Sequence, residues 1–201
     1  IIIPTIGRTA SLERCLESVR RNTTVPYEIV LVAPNETVPV MLLTGHRWIE
    51  DSGSGCVSAY NLGFRAAYGK YVLHINDDCE ACPGWIDNLL PIIEGRDVMG
   101  AFCLKEPGLD GFITNTIFGI KYSNFGMIRK ELMSNLGYWD ERFVQYGADP
   151  DFGLKLKHAG YETVSTPTAR VIHHCEQQWR KEHLREEAYN ALVAKWKGIF
   201  C

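Results

Sequence analysis

The run Tyr71-Val72-Leu73-His74-Ile75 is nearly unbroken in apolar character and is stopped abruptly by Asn76-Asp77-Asp78. A strand that alternates apolar and polar residues covers one face of a core, whereas one that does not alternate is buried on both. Burial on both faces requires helices on both sides, which restricts the chain to a layered α/β arrangement with a mainly parallel sheet. The preceding residues agree. Val57, Tyr60, Asn61, Phe64 and Ala67 repeat at helical spacing, with Ser54 available as N-cap. Gly69 follows the last periodic residue, where a helix end tolerates positive φ. Ligands of open α/β sheets sit beyond the carboxyl ends of strands, so the polar cluster 76–78 stands where carboxylates suit a hard cation and its diphosphate. Acids after a strand also form turns and caps, and only their company separates the two uses.

That company is a repeating strand–helix order. Ile1-Ile2-Ile3 reads as a buried strand broken by Pro4, with Thr5 and Gly7 in the loop beyond it, and Leu12, Leu16 and Val19 mark a helix face. Glu28 to Ala33 is a second strand closed by Pro34-Asn35; Arg47 to Glu50 is a third, ending in the acids Glu50-Asp51. Trp85 to Ile93 reads as a helix and Val98 to Leu104 as a fifth strand. After Lys105 the pattern changes. Gly108 to Tyr122 has no helical period and reads as a hairpin or mobile loop; Asn124 to Ile128 reads as a strand and Lys130 to Leu136 as a short helix. Asp149-Pro150-Asp151 opens a helix through His158, followed by short strands at Thr163 to Thr166 and Ala169 to His173. From Glu176 the chain is charged and helical, with Trp179, Leu184, Tyr189, Leu192 and Trp196 as anchors. No repeat or linker divides it, so 1–201 is read as one domain with a doubly wound, mostly parallel (mixed) sheet and helices on both faces.

Composition excludes several classes. A net charge of −3 over 201 residues, without any basic cluster, leaves no footprint for nucleic acid. No apolar run is long enough to span a bilayer. The seven cysteines are scattered, and Cys79-x-x-Cys82 has no second pair at zinc-finger spacing, so they read as reduced structural thiols of a cytosolic protein, cytoplasmic or peripheral at a membrane. The chain opens without Met inside a strand pattern, so its true N-terminus is expected upstream.

Four separated stretches carry a resemblance. The opening Ile1-Ile2-Ile3-Pro4-Thr5, the block from Ala59 to Asp78, the stretch Phe125 to Phe143 and the stretch Tyr146 to Glu162 occur in the order and spacing of one family. Together they resemble family 2, GT-A-fold, inverting glycosyltransferases. The resemblance implies a nucleotide-binding half (1–104) and an acceptor-side half (105–201) with the C-terminal helix. It implies a UDP-, dTDP- or GDP-sugar donor, a glycan, lipid-linked or other hydroxyl acceptor, and a divalent cation, Mn²⁺ or Mg²⁺. Matched residue by residue, Asp78 is the metal-binding acid of an N-x-D variant in which Asn76 replaces the first acid. Asp77 faces the ribose and Thr5 the nucleobase. His173 completes the metal and diphosphate site, with His174 as its alternative one residue on, and Asp149 is the catalytic base. Two departures stand out. Ala148 replaces the Glu before the base, and Ala33-Pro34-Asn35 replaces the Asp that ends the second strand, leaving Asn35 with an amide to offer the base. These favour, as alternatives, a non-catalytic sugar-nucleotide or glycan-binding relative; a nucleotidyltransferase would need a longer Gly- and Arg-rich loop after the first strand.

Several of these residues have plainer expectations. Asp149 before Pro150 is a ready N-cap, and Asp151 a first-turn acid favoured by the helix dipole. Asn61, on an apolar stripe, is expected to be buried and to bracket the loop after the first strand. Trp139 and Tyr146 are aromatic surfaces for an acceptor sugar or for loop packing.

Overall fold

The computed structural model of the chain describes residues 1–34, 38–39, 42, 44–176 and 182–200. Among these residues are ten strands: β1 (Ile2–Pro4), β2 (Val30–Ala33), β3 (Arg47–Glu50), β4 (Tyr71–His74), β5 (Cys79–Ala81), β6 (Val98–Lys105), β7 (Thr116–Ile117), β8 (Ile120–Lys121), β9 (Gly126–Arg129) and β10 (Glu162–His173). Eight form one mixed sheet in the order β3-β2-β1-β4-β9-β6-β10-β5. β3, β2, β1 and β4 are parallel neighbours, β9 lies antiparallel between β4 and β6, and β10 runs parallel to β6. The carboxyl ends of β1, β2, β3 and β4 therefore open on one edge.

Helices cover both faces, as the unbroken apolar strands require. Ile1, Ile3, Leu31, Leu73 and Ile75 pack with Leu12, Leu16 and Val19 of α1 (Thr9–Asn22), and with Trp85, Leu89 and Ile93 of the helix that begins at Trp85. Ile2, Val30, Val32 and Val72 point the other way, to Val57, Tyr60 and Phe64 of α2 (Cys56–Ala66). The other helices among the described residues are α3 (Trp85–Ile93), which carries Trp85, Leu89 and Ile93, then α4 (Lys130–Asn135), α5 (Ala148–His158) and α6 (Glu182–Trp196). Each fully buried Leu or Ile in these layers contributes about 1.5–3 kcal/mol. Among the described residues, no helix is long and apolar enough to cross a membrane.

The structure corrects several local expectations. Ser54 is not a cap: α2 starts at Cys56 behind Gly55, and the Ser54 hydroxyl pairs with Ser52 at 2.8 Å. Gly69 does not adopt positive φ. The end of α2 is closed instead by Lys130, whose ammonium donates to the carbonyls of Arg65 and Ala67. The two short strands expected near the C-terminus are one, β10, with a register shift between Ser165 and Arg170 that accommodates Pro167. The short edge strand β5 went unread, because three residues carry no usable period. The stretch 108–122 holds the β7–β8 hairpin, whose turn residues Phe118 (φ 49°) and Gly119 (φ 74°) are both left-handed, as a two-residue turn between twisted strands demands. Trp179 lies outside the described residues.

Two buried polar residues brace the acceptor-side half. Asn61 donates to the carbonyl of Trp139 (2.9 Å) and to Glu141 (2.8 Å) and accepts from the Trp139 amide (3.1 Å). It thus holds the loop between α4 and α5, not the loop after β1. Asp151 is fully buried and accepts from Lys195 (2.8 Å) and the Trp196 indole (2.8 Å), so it anchors α6 rather than merely complementing a helix dipole. Asp151→Ala leaves the Lys195 charge without this partner and should cost about 3 kcal/mol in denaturant melts. Asp151→Asn, which keeps an acceptor for Trp196, should cost less.

Candidate active site

The three residues after β4 and Ile75 diverge. Asn76 accepts from the Tyr60 hydroxyl at 2.7 Å and turns its amide towards His173 (Nδ2 to Nε2, 3.4 Å). Asp77 points under the loop after β1, accepting from the Thr5 hydroxyl at 2.6 Å and from the Arg8 guanidinium. Asp78 is fully buried: its Oδ2 accepts from the Glu176 amide at 3.0 Å and lies 3.5 Å from Arg8. Its Oδ1 lies 3.3 Å from His173 Nε2, and the alignment leaves that oxygen without a hydrogen bond among the described residues.

His173 ends β10, and its other ring nitrogen lies 2.7 Å from Glu106, just past the end of β6. Burial opposes charge on this imidazole, but the carboxylates of Asp78 and Glu106 outweigh it and raise the pKa to about 9. For Asp78, burial likewise opposes charge, and His173 and Arg8 prevail, holding its carboxyl below the usual value. For Asp77 the balance reverses: burial outweighs Arg8 and Thr5, and the pKa rises. His174 turns to Glu80 (3.3 Å), so of the two histidines it is His173 whose ring lies beside the Asp78 carboxylate.

Two cavities adjoin here. One, of about 190 Å³, is lined by Tyr60, Asn76, Asp78, Asn124, Asp149 and His173, with Tyr146 and Arg185 also on its wall. The other, of about 800 Å³, is lined by Thr5, Arg8, Val32, Pro34, Asp51 and Asp77 among others. Cys56, Asn76 and Gln145 line both. Asp149 is not the N-cap: Gly147 (φ 92°) holds that position, and α5 begins one residue before Asp149. The Asp149 carboxylate instead faces the smaller cavity and accepts from Asn124 Nδ2 at 2.6 Å. Burial dominates its environment and pushes its pKa up to about 7. Trp139 is almost wholly buried against Tyr60, Phe64 and His74, while Tyr146 stays half-exposed under Arg185.

Of the residues singled out in the sequence, Asn76, Asp78, His173 and Asp149 meet at the smaller cavity and Thr5, Asn76 and Asp77 at the larger. Asn35 lies outside the described residues. Sequence reasoning missed Arg8, Asp51, Glu106 and Asn124. Asp51 had a signal, as an acid at the end of β3; its amide donates to Ala33 (2.9 Å), and its buried Oδ1 has no hydrogen-bond partner among the described residues.

The donor set suits a divalent cation. Asp78 Oδ1 is a buried carboxylate oxygen without a hydrogen bond among the described residues, beside a ring nitrogen, and the three carboxylates of Asp77, Asp78 and Glu106 outnumber the cations of Arg8 and His173.

The sequence profile of glycosyl transferase family 2 matches residues 44–145, half of the chain. The chain belongs to glycosyl transferase family 2. It is 26% identical to the O-antigen biosynthesis protein RfbC of Myxococcus xanthus over 98% of its own length, and 29% identical to the uncharacterized glycosyltransferase YwdF of Bacillus subtilis over 86%. It spans 19% of the former protein and 72% of the latter. Among solved structures, GalNAc-T7 with UDP, GalNAc and Mn²⁺ superposes with a TM-score of 0.80 at 17% identity, over 99% of this chain and 48% of that one. The mannosyltransferase PcManGT of Pyrobaculum calidifontis with GDP-Man and Mn²⁺ gives 0.73 at 15%, over 96% and 62%. At such identities these likenesses speak for the fold, which is GT-A.

Arg8 generates a prediction. Removing it leaves two adjacent buried carboxylates without their guanidinium, so Arg8→Ala should lose about 3 kcal/mol at pH 7 in urea melts. The sign with pH follows from Asp78. A carboxyl with a depressed folded pKa stabilises above its unfolded value, and that stability disappears as pH falls through the folded one. The gap between wild type and variant should therefore narrow below about pH 4.

Proposed function

We propose that this chain transfers a sugar, with inversion, from a nucleotide sugar to a hydroxyl acceptor, with Asp149 as general base. The observation that carries this reading is a carboxyl whose pKa of about 7 suits proton abstraction near neutrality, in a cavity it shares with Asp78 and His173. The acceptor hydroxyl enters the smaller cavity and hands its proton to Asp149, held by Asn124. The donor lies in the larger cavity, its nucleoside over Thr5 and Asp77 and its diphosphate towards Asn76, Asp78 and Arg8. A divalent cation held by Asp78 and His173 supplies Lewis-acid neutralisation of the leaving diphosphate. For the base, Asp51 stands in for the acid missing after β2: its carboxylate accepts from the ring N–H that uracil, thymine and guanine share. The solved relatives bound UDP and GDP-Man with Mn²⁺, which agrees with such a donor.

Asp149→Asn separates the enzyme from a binding relative. The variant keeps an acceptor for Asn124 but cannot take a proton, so transfer should fall about 10²–10⁴-fold while nucleotide binding persists. Near-normal turnover would remove Asp149 from the role. Wild-type activity should rise with pH through about 7 as the carboxyl ionises. Stability runs the opposite way. A carboxyl with a raised folded pKa favours the native state below its unfolded value, and that advantage is lost as pH rises through the folded one. Asp149→Asn should therefore match wild type in melts at pH 4, gain on it between about pH 4 and pH 7, and hold a constant lead above that. Separately, calorimetric titration of UDP and GDP should show binding with Mn²⁺ that weakens in EDTA, and Asp78→Asn should reproduce the EDTA result; equal affinity in both would remove the metal role.

A further inference from the structure

The imidazole of His173 has two faces, and only one looks at Asp78. On the other, Nδ1 lies 2.7 Å from Glu106 Oε1 and 3.4 Å from Cys175 Sγ. Cys175 adopts a left-handed backbone (φ 53°), rare for a residue with a side chain, and its thiol lies back against the ring two residues before it. The carboxylate, ring nitrogen and thiol all lie within 4.8 Å of one another, on the wall of the smaller cavity.

We propose that Glu106, His173 Nδ1 and Cys175 form a second metal site, for a thiolate-preferring ion such as Zn²⁺, back to back with the Asp78 side of the same imidazole. The donor types decide the ion. A thiolate and an imidazole select Zn²⁺ over the oxygen-seeking Mg²⁺ and Mn²⁺. The spacing agrees. Tetrahedral Zn²⁺ with a Zn–S bond of about 2.3 Å and a Zn–N bond of about 2.0 Å sets sulfur and nitrogen about 3.5 Å apart, against 3.4 Å here. The Glu106–His173 hydrogen bond opens by about 0.6 Å to give the corresponding N–O edge. Three protein ligands leave the fourth position to solvent from the cavity.

Binding has a consequence across the ring. Cys175 releases its thiol proton and the imidazolium its Nδ1 proton to solvent, and the remaining ring proton resides on Nε2, 3.3 Å from Asp78 Oδ1. The nitrogen that would serve the hard ion then becomes a hydrogen-bond donor, and the carboxylate oxygen its acceptor. The two ions compete for one imidazole, so Zn²⁺ antagonises Mn²⁺ without occupying its place.

The test is spectroscopic and needs no transfer assay. Co²⁺, a tetrahedral stand-in for Zn²⁺, is titrated into the reduced, metal-stripped chain, and the thiolate-to-cobalt charge-transfer absorption is followed. Wild type and Asp78→Asn should both show a saturable band at one equivalent, discharged by Zn²⁺. Cys175→Ser should lack it and bind Zn²⁺ at least about 100-fold more weakly. Glu106→Gln keeps the thiol, so it should retain the band at about tenfold or greater loss of Co²⁺ affinity. Absence of the band in wild type overturns the proposal. So does a band that survives Cys175→Ser but is lost in Cys79→Ala, since Cys79 is the thiol on the Asp78 side of the ring.

Discussion

Two adjacent carboxylates at the end of a central strand are an electrostatic problem before they are a site. Asp77 and Asp78 are both buried, and like charges at that separation raise one another's pKa. The fold answers with groups from three distant stretches: Thr5 and Arg8 from the loop after β1, His173 from the end of β10, and the Glu176 amide just beyond it. Because these groups converge on one point, the acids hold the β1 loop and the post-β10 segment together at the sheet edge. The same bracket forms the floor of the larger cavity and a wall of the smaller. A site that binds charge is thus also a joint of the fold.

What lies beneath the bracket is arranged to keep it rigid. The strands that deliver these loops are sandwiched between two apolar layers, so the carboxyl ends of β1 and β4 cannot shift without disturbing both. On the acceptor side the packing is polar at its joints. Asn61 holds the loop before α5 and Asp151 ties α5 to α6, whereas α4 is short and anchored mainly through Leu132 and Met133. Asp149 sits between those two joints.

The legible part of this architecture is the part set by local pattern. The unbroken Tyr71–Ile75 run specified a strand covered on both faces, and the periodic residues of α1, α2 and α3 located the covers. Helix ends were less legible, because the carbonyls at the end of α2 are met by Lys130, from a different stretch of the chain, and not by a nearby glycine. The acids, His173 and Asp149 could be named by resemblance, yet their partners could not. Arg8 meets Asp77 across 69 positions and Glu106 meets His173 across 67, and no spacing rule reaches so far. Asn61 shows the limit most clearly. Its burial was readable from the helical stripe, but the loop it holds was not, since that depends on how α2 and α5 approach each other.

The division of labour proposed for Asp78 and Asp149 follows from burial and partners, not from residue type. Both carboxylates border one cavity. Asp78 is surrounded by Arg8, His173 and a backbone amide, which stabilise its charge and hold it ionised throughout the neutral range. Asp149 has only neutral donors, its own backbone amide and Asn124, and burial with the nearby Glu106 carboxylate outweighs them, so its charge is disfavoured until near pH 7. A group that stays charged is suited to holding a cation and unsuited to taking a proton, since its conjugate acid is too strong to form. A group poised near neutrality is the reverse. Exchanging the two environments would exchange the roles, so the assignment of acid chemistry in this protein is written in Asn124, Arg8 and His173 as much as in the aspartates themselves.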